Sequence, residues 1–315
     1  MATSLRLGKR LLEFKQPIIM GILNATPDSF FEGSRTPVAD GSAALVARAR
    51  QLLDEGAAIL DVGAVSTRPG ATAPSADEEL SRLSVALDAL RGALPEAVVS
   101  VDTFRPEVAR RVVRDYCVDV INDVSGCADP DMAAAVAELG VPYVLTHNPL
   151  GLQVNKSASP EEDPDAKPID VRVAQFFAER LQTLYDLGVA DVILDPGFGF
   201  GKSMTENYAL MAALPRLVRL FPQAPFLIGI SRKSMIYRLL DTTPEASLNG
   251  TTVLNTVALQ AGAHILRVHD VREASEALRI THQLMDSKQP PSPALLDPLP
   301  APPGGELIPS RRVGP

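Results

Sequence analysis

The run VVSVDTFRPEVARRVVRDYCVDVINDVSGCADPDMAAAVAELGVPYVLTH, from Val98 to His147, contains three short apolar stretches separated by two segments of helical periodicity. Strand-length apolar runs that alternate with 3.6-period segments are the pattern of βα units building a parallel sheet. The same unit recurs on both sides. IIMGIL (18–23), AILDVG (58–63), VVSVD (98–102), VDVIND (118–123), PYVLTH (142–147), DVILD (191–195), PFLIGIS (225–231) and HILRVH (264–269) make eight candidate strands. Their interiors are apolar on both alternations, as required when helices cover one face and a barrel core fills the other. The reading is α/β, a (β/α)8 TIM barrel in one domain; a doubly wound open sheet fits less well, although periodicity alone is compatible with both.

Leu45, Ala49, Leu52, Leu53 and Gly56 fall at helical spacing, and Ser75 with Glu78 is a capping-box signature opening the next helix. Further helices are expected near 106–115, 130–139, 170–187, 206–220, 245–261 and 271–287. In the N-terminal segment 1–16, LRLGKRLLEF suits a hairpin about Gly8-Lys9. The barrel is expected over 17–288. Within it, 148–169 is too long and polar for an ordinary βα loop and reads as an excursion over the barrel mouth. Residues 289–315 hold nine prolines in 27 positions with no period, so a disordered Pro-rich tail is expected.

Hydrophobic residues make up 46% of the 315, enough for a large core. The net charge of −8 argues against nucleic acid or an anionic membrane as partner, so any anionic ligand needs a local cationic pocket. The two cysteines, Cys117 and Cys127, lack disulfide-framework or zinc spacing. Both are read as reduced thiols, with Cys117 packing in a strand. No leader-like apolar core and no span of about 18 apolar residues is present, so a cytoplasmic location is expected.

In such barrels the active site lies at the carboxyl ends of the strands. There the chain places Asn24, Asp61, Ser66-Thr67-Arg68, Asp102, Asn122, His147, Asp195, Ser231-Arg232-Lys233 and Arg267-Val268-His269, a hydrogen-bonding or charged group after every strand. Taken singly, an Asp or Asn before a helix is more often an N-cap than a ligand, and His264 and His282 default to packing or surface. Coincidence on one face carries the argument. GFGFGKS (197–203) resembles a phosphate loop, but the first glycine of that pattern belongs at 196, where Pro196 stands.

GILNATPDSF, DVGAVSTRPGA, VDT, ND, LDPGFGFGK, SRKS and RVHDV occur in this order, and on these motifs residues 16–287 resemble the pterin-binding enzymes, within them the dihydropteroate synthases. The resemblance implies a transferase that joins a dihydropterin pyrophosphate to p-aminobenzoate, with strong SN1 character, acting on small molecules as a homodimer with Mg²⁺. It implies a pterin site of Asp102, Asn122, Asp195, Lys233 and Arg267, with Lys233, Arg267, Asp102 and Asp195 as the catalytic groups. Asn24, Thr67, Arg68, Arg267 and His269 would hold the pyrophosphate, with Asn24 as metal ligand. Thr67, Pro69, Phe200, Lys233 and Ser234 would contact p-aminobenzoate. Two departures stand out: Val65 where the family generally carries Glu, and Thr146-His147-Asn148 where Met-His-Met is common. Methyltetrahydrofolate–corrinoid methyltransferases share the barrel, but the STRPG loop, SRKS and RVHDV speak against that alternative.

Overall fold

In the computed structural model, which describes residues 4–7, 10–25, 38–65, 74–153 and 167–287, the eight apolar runs form eight parallel strands. A hairpin comes first, β1 (Ser4–Leu7) antiparallel to β2 (Arg10–Glu13). The barrel strands follow: β3 (Ile18–Asn24), β4 (Ile59–Gly63), β5 (Val99–Asp102), β6 (Val120–Asp123), β7 (Tyr143–Thr146), β8 (Val192–Asp195), β9 (Leu227–Ile228) and β10 (Ile265–Val268). They pair in the order β8-β7-β6-β5-β4-β3-β10-β9. The two ends meet at a parallel bridge between Leu194 and Phe226, where the Leu194 N–H donates to the Pro225 carbonyl at 2.9 Å. This closes the barrel. The helices are α1 (Val38–Asp54), α2 (Ala76–Ala93), α3 (Pro106–Tyr116), α4 (Met132–Leu139), α5 (Ile169–Asp186), α6 (Met204–Leu220), the one-turn α7 (Ser234–Tyr237), α8 (Leu248–Gln260) and α9 (Val271–Asp286).

The seventh barrel strand is the one that differs most from the expected span of 225–231. The Phe226 carbonyl accepts from both His264 and Ile265, at 2.9 and 3.0 Å, and beyond Ile228 the chain leaves the ladder. The Lys233 N–H then bonds the Ile230 carbonyl at 3.1 Å, turning the chain into α7. Cys117 also departs from expectation. It is exposed, sits left-handed at φ 51° as the C-cap of α3, and its N–H donates to the Val113 carbonyl, so it ends a helix rather than packing in a strand. Both cysteines are free thiols.

Two apolar cores explain why the site lies where it does. The larger lies between the barrel and its helices. The smaller fills the barrel floor with Met20, Ile59, Val120, Val144, Ile193, Leu227 and Ile265, plugged from below by Leu5 and Leu7 of the hairpin. Because strand side chains repeat every two residues, the positions two further along belong to the same inner face. Those positions are Ile22, Asp61, Asn122, Thr146, Asp195, Gly229 and Arg267. An apolar floor thus gives way to a polar ceiling within one side-chain step. The tip of the hairpin at Gly8-Lys9, most of the 148–169 excursion and the tail lie outside the described residues.

Candidate active site

Arg267 stands at the centre of the polar ceiling. Its Nε donates to Asp61 Oδ2 at 2.7 Å and its Nη2 to Asp102 Oδ2 at 2.9 Å. Asn122 Nδ2 adds a third bond to the same Asp61 oxygen at 3.1 Å. Asp61 is fully buried, and its other oxygen has no hydrogen-bond partner. A buried carboxylate needs such paired, charge-assisted bonds to offset its desolvation. Burial works against the Arg267 charge, yet Asp61 and Asp102 hold it protonated above the ordinary arginine value. Burial pushes Asp102 up to about 7 despite Arg267, with Asp61 adding to the rise.

Asp195 closes the opposite wall. It is 5% exposed, and its Oδ1 accepts from the Gly197 N–H at 2.8 Å. Burial raises its pKa, opposed first by the charge of Lys233. A Cβ on Gly229 would stand 4.0 Å from both Asp195 Oδ2 and Arg267 Cδ, so glycine there keeps the space between the two groups open. Lys233, at the N-cap of α7, donates to the Phe198 carbonyl at 2.6 Å and lies 4.6 Å from the centre of the Phe200 ring. Burial pushes it down to about 8 against the attraction of Asp195.

Two cross-links tie the ends of β9 and β10. Ser231 Oγ lies 3.1 Å from His269 Nδ1 and accepts from the His269 N–H at 3.2 Å. Arg232 forks onto Asp270 with bonds of 2.9 and 2.5 Å, while its own backbone is left-handed at φ 56°. A non-glycine residue in that region needs surrounding structure to hold it, and the fork with the Arg232 N–H bond to Thr251 Oγ1 at 3.1 Å supplies it.

The structure therefore gathers Asp102, Asn122, Asp195, Lys233, Arg267 and Phe200 at one mouth. Ser234 is half-buried at the first turn of α7, His269 sits beside Ser231, and Asn24 is exposed at the rim on β3, register partner of Gly63. Thr67, Arg68 and Pro69 lie outside the described residues. His147 and Asn148 do structural work. Asn148 Nδ2 bonds the Val124 carbonyl at 2.8 Å. The His147 ring is buried edge-on to Phe176, and burial holds its pKa down to about 2, with Lys202 and Arg172 adding to the fall. Val65 packs with Phe104, Val124 and Phe200, an apolar patch where the resemblance leads one to expect a carboxylate.

The strand-end reading placed Asp61 at the mouth but the resemblance assigned it no ligand, although its spacing of two from Ile59 puts it on the inner face. The phosphate-loop resemblance at 197–203 has a different physical basis. Lys202 is buried and bonds three carbonyls, while Ser203 and Glu206 form a capping box that opens α6. Among the described residues no group of three His, Cys, Asp or Glu side chains is placed to hold a metal ion. No described helix is long and apolar enough to cross a membrane.

Residues 20–269 match the family model described as pterin binding enzyme. The dihydropteroate synthase of Escherichia coli strain K12 is 38% identical over 281 residues, covering 88% of this chain and 95% of its own length. The structure of Xanthomonas albilineans dihydropteroate synthase with 4-aminobenzoic acid superposes with a TM-score of 0.80 at 37% identity, covering 92% of this chain and all of that one. That of Burkholderia cenocepacia dihydropteroate synthase complexed with 7,8-dihydropteroate gives 0.78 at 34% identity, covering 91% and 98%. The chain belongs to the pterin-binding enzymes and, within them, to the dihydropteroate synthase family.

Proposed function

We propose that the chain condenses 6-hydroxymethyl-7,8-dihydropterin pyrophosphate with p-aminobenzoate, giving 7,8-dihydropteroate and pyrophosphate. The observation that carries this is the polar ceiling, where Asp61, Asp102, Asn122, Asp195 and Arg267 converge beside a lysine seated on Phe200. A 2-amino-4-oxopterin presents several N–H donors on one edge, which Asp102 and Asp195 accept, and ring acceptors that Asn122, Arg267 and Lys233 serve. Ionisation at the pterin methylene develops positive charge on the ring and negative charge on the leaving group. Fixed carboxylates then stabilise one end, and Arg267, Arg68 and His269 the other. The arylamine nitrogen attacks the methylene carbon; no protein nucleophile is needed. Thr67, Pro69, Phe200, Lys233 and Ser234 hold the p-aminobenzoate.

Mg²⁺ fits this donor set in one way. With no protein-only cage among the described residues, a single exposed amide oxygen on Asn24 suits an ion that takes its remaining oxygens from phosphate and water. When bound it neutralises leaving-group charge.

The assembly is read as a homodimer in the cytoplasm. Val253 and Val257 on α8 and Ile280, Leu284 and Met285 on α9 are all at least 39% exposed, an apolar surface of the kind that partner subunits cover. The test of function is pyrophosphate release from the dihydropterin pyrophosphate. It should require p-aminobenzoate and yield dihydropteroate; release that ignores the arylamine, or none at all, would overturn the reading.

A further inference from the structure

The loop joining β8 to α6 encloses a buried cation that the reaction above does not use. Lys202 is 6% exposed, and its Nζ donates to the carbonyls of Gly197 at 2.6 Å, His147 at 3.0 Å and Phe200 at 3.1 Å. An ammonium has three N–H bonds, and these carbonyls occupy all three, leaving none for a ligand. Gly197, Gly199 and Gly201 have φ values of +69°, +83° and +55°, the conformations that let the backbone curl around the charge. Asn207 braces the same loop from α6. Its Oδ1 accepts from the Gly199 N–H at 2.7 Å, and its Nδ2 donates to the Lys202 and Ser203 carbonyls at 3.2 and 2.7 Å. On its outer side the loop presents the two groups that seat Lys233: the Phe198 carbonyl and the Phe200 ring.

We propose that Lys202 is a positioning residue, an internal clamp that shapes the Gly197–Gly201 loop and thereby fixes Lys233 and Phe200 on the p-aminobenzoate side of the mouth. The name of the substrate rests on the proposed function; the clamp itself does not. Burial pushes Lys202 down to about 7, with Lys233 and Arg172 adding to the fall and Asp195 and Glu206 opposing it; the nitrogen keeps N–H donors for its carbonyls whichever way it titrates. Asp61, Asp102, Asn122 and Arg267 bond one another on other strands, so the pterin side of the site depends on the loop only through Lys233 and through Asp195, which accepts from the Gly197 N–H.

Lys202→Met keeps the chain length and removes the three donors. In this variant the Michaelis constant for p-aminobenzoate should rise about tenfold or more, while the dissociation constant of the dihydropterin pyrophosphate alone rises by a clearly smaller factor, because Asp102, Asn122 and Arg267 keep their places. Lys202→Arg should recover part of the loss, because a guanidinium still donates to carbonyls. Without any substrate, the amides of Gly199 and Phe200 should exchange hydrogen faster in Lys202→Met than in the wild type. Should Lys202→Met fail to fold, Asn207→Ser removes the other brace and should give the same selective loss. Wild-type affinity for p-aminobenzoate with protected amides, or an equal loss of both substrates, overturns the proposal. A wild-type chain that releases no pyrophosphate overturns the functional reading alone, since the exchange comparison still decides the clamp.

Discussion

Asp102 and Lys233 titrate near neutrality from opposite directions, and each has a consequence for pH dependence. Asp102 is pushed up to about 7 by burial, so below that pH it becomes a neutral acid and loses its capacity as a double acceptor. Pterin affinity should then fall by about tenfold per unit below neutrality, the slope for one proton. Lys233, pushed down to about 8 by burial, loses its charge above that value and its hold on a carboxylate. A bell-shaped kcat/KM follows, and Asp102→Asn should flatten its acid limb. In the ligand-free protein the signs differ: the raised Asp102 value gives stability that is present in acid and lost as pH climbs through 7. The lowered Lys233 value does the reverse, its burial penalty easing as pH rises from 8 toward the unfolded lysine value. Thermal melts from pH 4 to about 10 check both. Asp102→Asn and Asp195→Asn should each weaken pterin binding by roughly 1.5 to 3 kcal/mol while remaining folded; unchanged calorimetric affinity would reduce either aspartate to a cap. Lys233→Gln should raise both Michaelis constants and lower turnover. Arg232→Gln should chiefly lower the melting temperature, because its guanidinium is committed to the fork onto Asp270. The reverse order of kinetic effects would remove Lys233 from the site.

At the scale of the element, the β8–α6 connection offers the sharpest prediction. A Cβ on Gly197 would stand 2.1 Å from the His147 carbonyl oxygen at a backbone φ of +69°, so neither space nor conformation admits alanine. Gly197→Ala should therefore displace the loop and abolish turnover, whereas Ser203→Ala, which removes only a cap, should cost about 1 kcal/mol and leave turnover intact. Steady-state assays with melting curves separate the two. The contrast also marks what the sequence could reveal. Strand positions were legible because apolar runs and their polar ends are local signals. The capping box at Ser75 was legible for the same reason, and the one at Ser203 was equally readable but masked by the phosphate-loop resemblance. Lys202 was not legible, because its partners are backbone carbonyls up to 55 residues away and carry no side-chain signature. The shortening of β9 was hidden likewise: Phe-Leu-Ile-Gly-Ile is a good strand by composition, yet beyond Ile228 the chain turns, with the Lys233 N–H on the Ile230 carbonyl.

For the whole molecule, the question is what supports a polar ceiling placed directly above an apolar floor. Seven strands each give one floor residue, and their shared underside would face water without the hairpin. Leu5 is 1% exposed and Leu7 6%, both packed with that floor, while Leu11 on the other hairpin strand is 64% exposed. Removing a fully buried leucine side chain loses its transfer free energy and leaves a cavity, together about 2 to 5 kcal/mol. Leu5→Ala should therefore destabilise the protein by that amount in denaturant titrations, and Leu11→Ala by less than about 0.5 kcal/mol. Since the floor lies at the opposite end of the barrel from the mouth, the folded Leu5→Ala enzyme should keep both Michaelis constants at moderate temperature and lose activity only as it unfolds. A Leu5→Ala variant as stable as the wild type would show that the barrel closes its own floor. A stable variant with raised Michaelis constants would instead mean that the hairpin's packing reaches the ceiling through Ile59 to Asp61 and Ile265 to Arg267, the two strands on which the central guanidinium and its carboxylate sit.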